Sequence, residues 1–484
     1  MKCCNAAALQ QRFTLIVRAL AVALLPILSY SAQAQSPIPE TVQPATSEAG
    51  SPNFFQRLGN SYRSDWFPDP NAAVSPAPER RGLPSPLNSP PFPFSDWPYG
   101  GSPTLGEPDT STYPLSSALG LDRTRYRVYG WIEPSVNFST STYSNAPVAD
   151  NVFPNRLVLD RIALIAERLP HTVQLDHVDW GFHITNIFGT DYRFNLEKGA
   201  LDHQASIYNR QYGYETPFNY FDLYLPQVAH STNIRIGRFA SLPGIEIQIP
   251  TYNYMFSHSL TNIAAPVTDT GIISTFQLSD QWLLQFGLTG GHDVTLWSGH
   301  AKPSGTACLS YTTKSVNDNI YACASGINDG IYGYNNVQHY DITWYRRLSK
   351  TVHIATEAWY MYQREVPAVG GPIQPIAMTN GAYCYPGQIR CTAPAYAIVN
   401  YLNKQLSPRD SLSLRTDFLN DQKGQRTGFQ TRYYENTLSW THWLGTTVQI
   451  RPEIRFDRSL DQPAYDNGAH QNQFIFATDV VFHY

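Results

Sequence analysis

The sequence predicts an all-β fold: a transmembrane antiparallel up-and-down β-barrel of about fourteen strands, within an even range of about 12–16, preceded by a proline-rich irregular segment. Three observations carry this. The chain opens on an export signal. Apolar and polar residues alternate with period two from Arg125 to the C-terminus. After the signal, no stretch approaches the ~18 consecutive apolar residues a membrane helix needs, so a membrane could be crossed only by strands.

Lys2, Arg12 and Arg18 precede or interrupt an apolar run from Phe13 to Leu28, and Ala32-Gln33-Ala34 supplies a small-x-small cleavage site. Residues 1–34 therefore read as a signal peptide, with the mature chain starting at Gln35. Cys3 and Cys4 lie ahead of the apolar run, so they leave with the signal and are not sites for lipid attachment. Residues 35–121 read as a periplasmic linker or plug: the stretch from Ser36 to Leu121 holds 17 of the 36 prolines and has no sustained period. Four large aromatics between Phe92 and Tyr99 are costly to leave in water, which predicts that this part docks on or inside the barrel.

Residues 122–484 read as the barrel. Its clearest strand is Thr447 to Asp457, where Val448, Ile450, Pro452, Ile454 and Phe456 take one face and Gln449, Arg451, Glu453, Arg455 and Asp457 the other. Weaker copies run from Gln281 to Thr289, Gln338 to Arg346, Ser411 to Leu419 and Glu435 to Thr441. Further strands are expected near Arg125, Arg156, Trp180, Asn219, Asn233, Gly271, Thr351 and Ala395. The chain closes on Asn472 to Tyr484, with Phe474, Phe476, Val480, Phe482 and Tyr484 on one parity, which looks like the assembly signal of a bacterial outer-membrane protein. Short joins such as Ser279-Asp280 read as periplasmic turns. The segments Cys308 to Tyr334 and Val366 to Tyr396 read as extracellular loops.

Composition agrees with a barrel. A mean hydropathy of −0.32 is what lipid-facing and water-facing residues average to when they alternate. The 13% aromatic content can furnish two interfacial girdles. Loss of the signal takes the formal charge from −4 to −7, which gives no reason to expect nucleic acid as a partner. Four cysteines remain, Cys308 with Cys323 and Cys384 with Cys391, and two local disulfides are the simplest pairing outside the reducing cytosol. Neither pair has CxxC spacing or neighbouring His, so no metal and no cofactor is expected.

No HExxH, GxSxG, GxxxxGK[ST] or strand-linked GxGxxG occurs, and catalysis is not predicted. Ser257, His258 and Ser259 read as loop or lumen residues. The charges on strand positions are the functional signal. An Arg or Lys facing lipid at midplane costs about 2–4 kcal/mol, so such residues must point inward. Arg235, Asp341, Glu357, Arg415, Asp417, Arg451, Glu453, Arg455 and Asp457 are accordingly expected to line a water-filled pore.

Asn233 to Glu246, with Asn253-Tyr254, Ser257-His258-Ser259, Pro266 and Thr270-Gly271, resembles the outer-membrane porin family called beta-barrel porin type two. Gly130-Trp131-Ile132, Asp179 to Phe182, Gly189 to Arg193 and Arg451 to Asp457 carry the same resemblance, which spans Arg125 to Tyr484. It implies a Gram-negative outer-membrane barrel acting as a porin, with no catalytic residues to carry over. The expected function is passive diffusion of small hydrophilic solutes and ions. The alternative is a non-conducting structural or adhesive barrel plugged by its N-terminal segment. Expected partners are outer-membrane lipid and the barrel assembly machinery, the latter reading the strand that ends at Tyr484. Homo-oligomer formation is left open.

Overall fold

The computed structural model of the chain describes residues 52–69 and 111–484, apart from 149, 173, 243, 248, 251–252 and 369–380. The expected signal peptide and the expected docking of Phe92 to Tyr99 lie outside the described residues. From Tyr126 onward the chain is a single closed antiparallel sheet. Its strands are β1 (Tyr126–Ser139), β2 (Leu157–Arg168), β3 (Asp179–Gly189), β4 (Gly213–Glu215), β5 (Asn219–Leu225), β6 (Ser231–Ala240), β7 (Thr268–Gln277), β8 (Trp282–His292) and β9 (Ser304–Thr312). They continue with β10 (Asp318–Ile327), β11 (Gln338–Arg347), β12 (Val352–Pro367), β13 (Arg390–Ser407), β14 (Asp410–Asp421), β15 (Thr431–Leu444), β16 (Val448–Ser459) and β17 (Asn472–His483).

Seventeen strands fill sixteen wall positions. Both β4 and β5 pair with β3, at Ile187↔Glu215 and Ile184↔Asn219, so they are halves of one wall strand broken around Pro217, which has no N–H to give the ladder. The cylinder closes where β1 meets β17, at Ile132↔Phe482 and Ser135↔Asp479. Tyr484 completes the seam: it exchanges backbone hydrogen bonds with Gly130 at 2.9 and 3.1 Å and donates its hydroxyl to the Ala163 carbonyl at 2.6 Å. Gly130 is required there, since a Cβ would lie 1.9 Å from that same carbonyl oxygen and 2.9 Å from the Tyr484 ring.

Sixteen wall strands fall at the top of the expected range of 12–16, two above the central count of about fourteen, and the difference has one location. Cys308 to Tyr334, expected to be an extracellular loop, contains strands β9 and β10. Their outward residues include Gly305, Ala307, Ala322 and Ala324, and their inward ones Ser304, Thr306, Ser310 and Ser325. With so many small side chains on both faces, only Leu309, Tyr311 and Ile320 mark the outward row, and Tyr321 stands on the inward one, so the alternation in hydropathy is weak. The second expected loop is also shorter, because β12 runs to Pro367 and β13 starts at Arg390. Both expected disulfides are present. Cys308 and Cys323 face each other across β9 and β10 inside the wall, and Cys384–Cys391 lies at the start of β13.

Alternation sorts the walls as the sequence predicts. On β16, Ile450, Ile454 and Phe456 are 38–47% exposed while Arg451, Glu453, Arg455 and Asp457 are at most 1% exposed. At one end the strands join through short turns such as 445–447, and outward Trp180, Trp282, Trp344 and Trp440 sit near that end. At the other end the joins are long, and outward Phe138, Phe188, Tyr340, Tyr434 and Phe474 form the second girdle.

Two helices precede the barrel at the short-turn end: α1 (Phe54–Trp66) and α2 (Pro114–Ala118). A capping box between Asn53 and Gln56 starts α1. Asp65, near its end, accepts from the backbone N–H groups of Thr446 and Thr447 at 2.9 and 3.1 Å. Gly445 has φ +61, and a Cβ there would collide with that carboxylate, so the turn needs glycine on two counts. α2 is tied to β1 by Ser116, whose hydroxyl donates to the Val128 carbonyl and accepts from its N–H.

Candidate functional site

The join between β6 and β7, residues 241–267, does not arch away from the barrel mouth. It folds into the interior, where it carries a short helix α3 (Leu260–Ala264). Its composition accounts for that course: Leu242, Ile245, Tyr254, Met255, Phe256, Leu260 and Ile263 would be exposed on an external loop and are all buried here. Leu242, Ile245, Tyr254 and Met255 pack on inward Tyr321, Tyr345, Ala355, Val399 and Tyr401. Leu260, Ile263 and Ala264 pack on Trp359, Met361, Ala395, Ala397 and Leu419. Phe256 reaches Val148, Ile475 and Ala477 near the closing seam.

The segment also holds itself in shape. Ser259 caps α3 by accepting from the N–H of Asn262 at 2.9 Å, while its own N–H and hydroxyl donate to the Glu246 carboxylate, each at 3.0 Å. Tyr401 on β13 donates its hydroxyl to the same Glu246. The His258 ring pairs through Nδ1 with Asp150 of the β1–β2 loop, and so joins two loops inside the barrel.

The wall grips this segment by its backbone, with cations on its carbonyls and carboxylates on its N–H groups. Arg415 donates to the Ser257 carbonyl at 2.5 Å, Arg451 to those of Pro250 and Met255 at 2.6 and 3.0 Å, and Arg455 to that of His258 at 2.6 Å. In the other sense Glu357 accepts from Ile245 N–H at 2.6 Å, Glu453 from Ser257 N–H at 3.1 Å, and Asp417 from the N–H and hydroxyl of Thr261 at 3.0 and 2.6 Å. The Trp359 indole donates to the Thr261 carbonyl at 3.1 Å. Charge-assisted bonds to a desolvated backbone are the stronger kind, so the clamp fixes the segment's height and register in the barrel.

All nine residues expected to line the pore face the interior, and each is at most 5% exposed. Six of them, Glu357, Arg415, Asp417, Arg451, Glu453 and Arg455, hold the inward segment. Wall residues stand beside the other three. Arg235 forks onto Asp222 at 2.8 and 3.0 Å and lies over the Tyr220 ring. Asp457 pairs with Arg455 at 2.9 Å. Asp341 lies beside the Glu357 carboxyl and has the His339 ring 3.8 Å away.

Sequence reasoning missed several partners of these groups. Asp479 pairs with Arg451, Glu435 with Arg415 at 2.9 Å, and Glu133 with both Arg161 and Arg451 at 2.8 and 3.2 Å. All three sit at inward parity in segments recognised as strands, so the signal was present. The inward fold of residues 241–267 carries one signal only, an excess of apolar side chains for a join between strands.

Similar solved structures include an anion-selective porin from Comamonas acidovorans, with TM-score 0.47, 9% identity, and 74% of this chain and 99% of that one covered. The in-vitro folded trimer form of OmpT, an outer membrane protein of Vibrio cholerae, gives TM-score 0.46 and 8% identity over 74% and 99%. The outer membrane channel DcaP of Acinetobacter baumannii gives 0.44 and 11% over 74% and 97%. No curated protein matches. The family model described as "Putative beta-barrel porin-2, OmpL-like" matches residues 126–484, the whole of the barrel, and the chain belongs to that family.

Proposed function

We propose that this protein is an outer-membrane porin, a passive channel for small hydrophilic solutes and ions whose width is set by the inward segment between β6 and β7. The observation that carries the reading is the sorting of charge: Arg415, Asp417, Arg451, Glu453, Arg455 and Asp457 stand inside a wall whose outside is Leu414, Ile450, Ile454 and Phe456. A wall of this kind belongs between lipid and a polar interior, and rings of inward charge select solutes by field and width. Arg235, Asp341 and Glu357 extend the charged lining to β6, β11 and β12. Export through a cleaved signal and insertion by the barrel assembly machinery, reading the strand that ends at Tyr484, complete the proposal. Proteoliposomes carrying the refolded chain should swell in iso-osmotic small sugars faster than empty liposomes, and equal rates would contradict it.

The second reading is a non-conducting structural or adhesive barrel plugged by its N-terminal segment. Deleting residues 70–110, with Asp69 joined to Ser111, separates the two. An open pore keeps its swelling rate, whereas a barrel plugged by its N-terminal segment gains permeability only after the deletion.

A further inference from the structure

Helix α1 has a face that the barrel uses in part and leaves bare in part. Phe55, Tyr62 and Trp66 are spaced by seven and four residues and so share one side of the helix. Tyr62 stacks on Phe482 with ring centroids 5.4 Å apart. Phe482 has the outward parity of β17, with exposed Phe474 and Phe476, and lies opposite outward Ile132 of β1. The helix therefore rests on the outer rim of the wall, across the closing seam, at the end where Trp180, Trp282 and Trp440 supply the aromatic girdle.

Its position there is fixed by three separate attachments. Tyr62 donates its hydroxyl to the His483 carbonyl at 2.8 Å, Trp66 donates its indole N–H to the Thr447 hydroxyl at 2.8 Å, and Asp65 caps the 445–447 turn. At the other end of α1, Arg57 donates to the Ala118 carbonyl at 2.9 and 2.6 Å. On a helix held this firmly, Phe55 is 78% exposed and Phe67, just past its end, is 72% exposed. A Cβ at Gly59, between Phe55 and Tyr62 on that face, would meet nothing within 4 Å. Asn60 is exposed on the opposite side of the helix, and exposed Arg63 flanks the aromatic face.

An aromatic face that continues a lipid-facing row, flanked by an arginine and backed by polar residues such as Asn60, is the arrangement of a helix lying in a membrane interface. We infer that α1 lies in the headgroup layer of the leaflet at the short-turn end, with Phe55 and Phe67 against phospholipid and Arg63 beside the phosphates. The helix thereby carries the girdle across the seam between β1 and β17. The inference rests on membrane insertion of the barrel and not on conduction.

The test uses the chain from Gln35 onward, which lacks Cys3 and Cys4 and whose four cysteines are all in disulfides. Phe55→Cys and Asn60→Cys are each labelled with a polarity-sensitive fluorophore, and the protein is refolded into phosphatidylcholine vesicles containing headgroup-depth spin-labelled lipid. Position 55 should emit to the blue of position 60 and be quenched at least twofold more strongly. Equal, water-like emission at both positions would overturn the inference. So would a blue shift at position 55 without lipid quenching, which would assign the face to a second copy of the chain. Heat-modifiable gel mobility checks folding, and Phe67→Cys serves as a second probe, read the same way, if the first variant does not fold.

Discussion

Adjacent side chains on β16 meet opposite environments, and single substitutions there separate lipid from interior. Ile454 is 47% exposed on the outward face and Arg455 is fully buried on the inward one. Ile454→Lys should impair insertion by about 2–4 kcal/mol, seen as lost heat-modifiable mobility after refolding, whereas Arg455→Gln should insert. Equal defects would mean that the two faces are misassigned. A second test lies in the outer loops, where Asp466 accepts from the backbone N–H groups of Thr142, Tyr143 and Ser144 at 3.0, 2.6 and 3.1 Å. Burial would raise this carboxyl's pKa, but those three N–H groups outweigh it and hold it below the ordinary value of 3.8. A depressed folded pKa means that the linkage is intact above 3.8 and is lost as pH falls through the folded value. Amide exchange at residues 142–144, corrected for intrinsic rates, should therefore accelerate only below about pH 4. At this scale the inward charges of β16 were legible because period two collects them on one wall. Their backbone partners were not, since a carbonyl some 200 residues away, such as that of Pro250 for Arg451, leaves no mark in sequence.

Among the elements, the strands that escaped sequence reading are those whose outward faces are poorest in large apolar side chains. Fourteen of the sixteen wall strands announce themselves by an apolar face, while β9 and β10 present outward only Leu309, Tyr311 and Ile320 among Gly and Ala, and are fixed by their neighbours' ladders. The inward segment was illegible for a different reason. Its conformation is decided by tertiary packing on Tyr345, Val399 and Tyr401 and by the wall's charged clamp, none of which is local. Its proposed role is open to a direct check: replacing residues 245–261 by a short Gly/Ser connector should raise conductance at least twofold, with the barrel still heat-modifiable. Unchanged conductance would show that the segment does not set the width. Loss of its apolar packing should also cost stability, since each buried Leu, Ile or Phe contributes about 1.5–3 kcal/mol.

For the molecule as a whole, the sum of buried charge points in one direction. Among the described residues, twenty-one buried Asp and Glu face eight buried Lys and Arg. Arg415, Arg451 and Arg455 are each shared with carboxylates, while Asp160, Asp341, Glu357, Asp417 and Glu453 have no Lys or Arg within ion-pair distance among the described residues. Where water reaches these carboxyls they ionise, and the negative field they then supply favours cations in that water path. Single-channel recording of the refolded chain across a KCl gradient bears most directly on the claim that the charged interior is such a path. Stepwise currents with a reversal potential of cation-selective sign are the predicted result. A folded, membrane-inserted barrel that gives no current above the bare bilayer would contradict the claim.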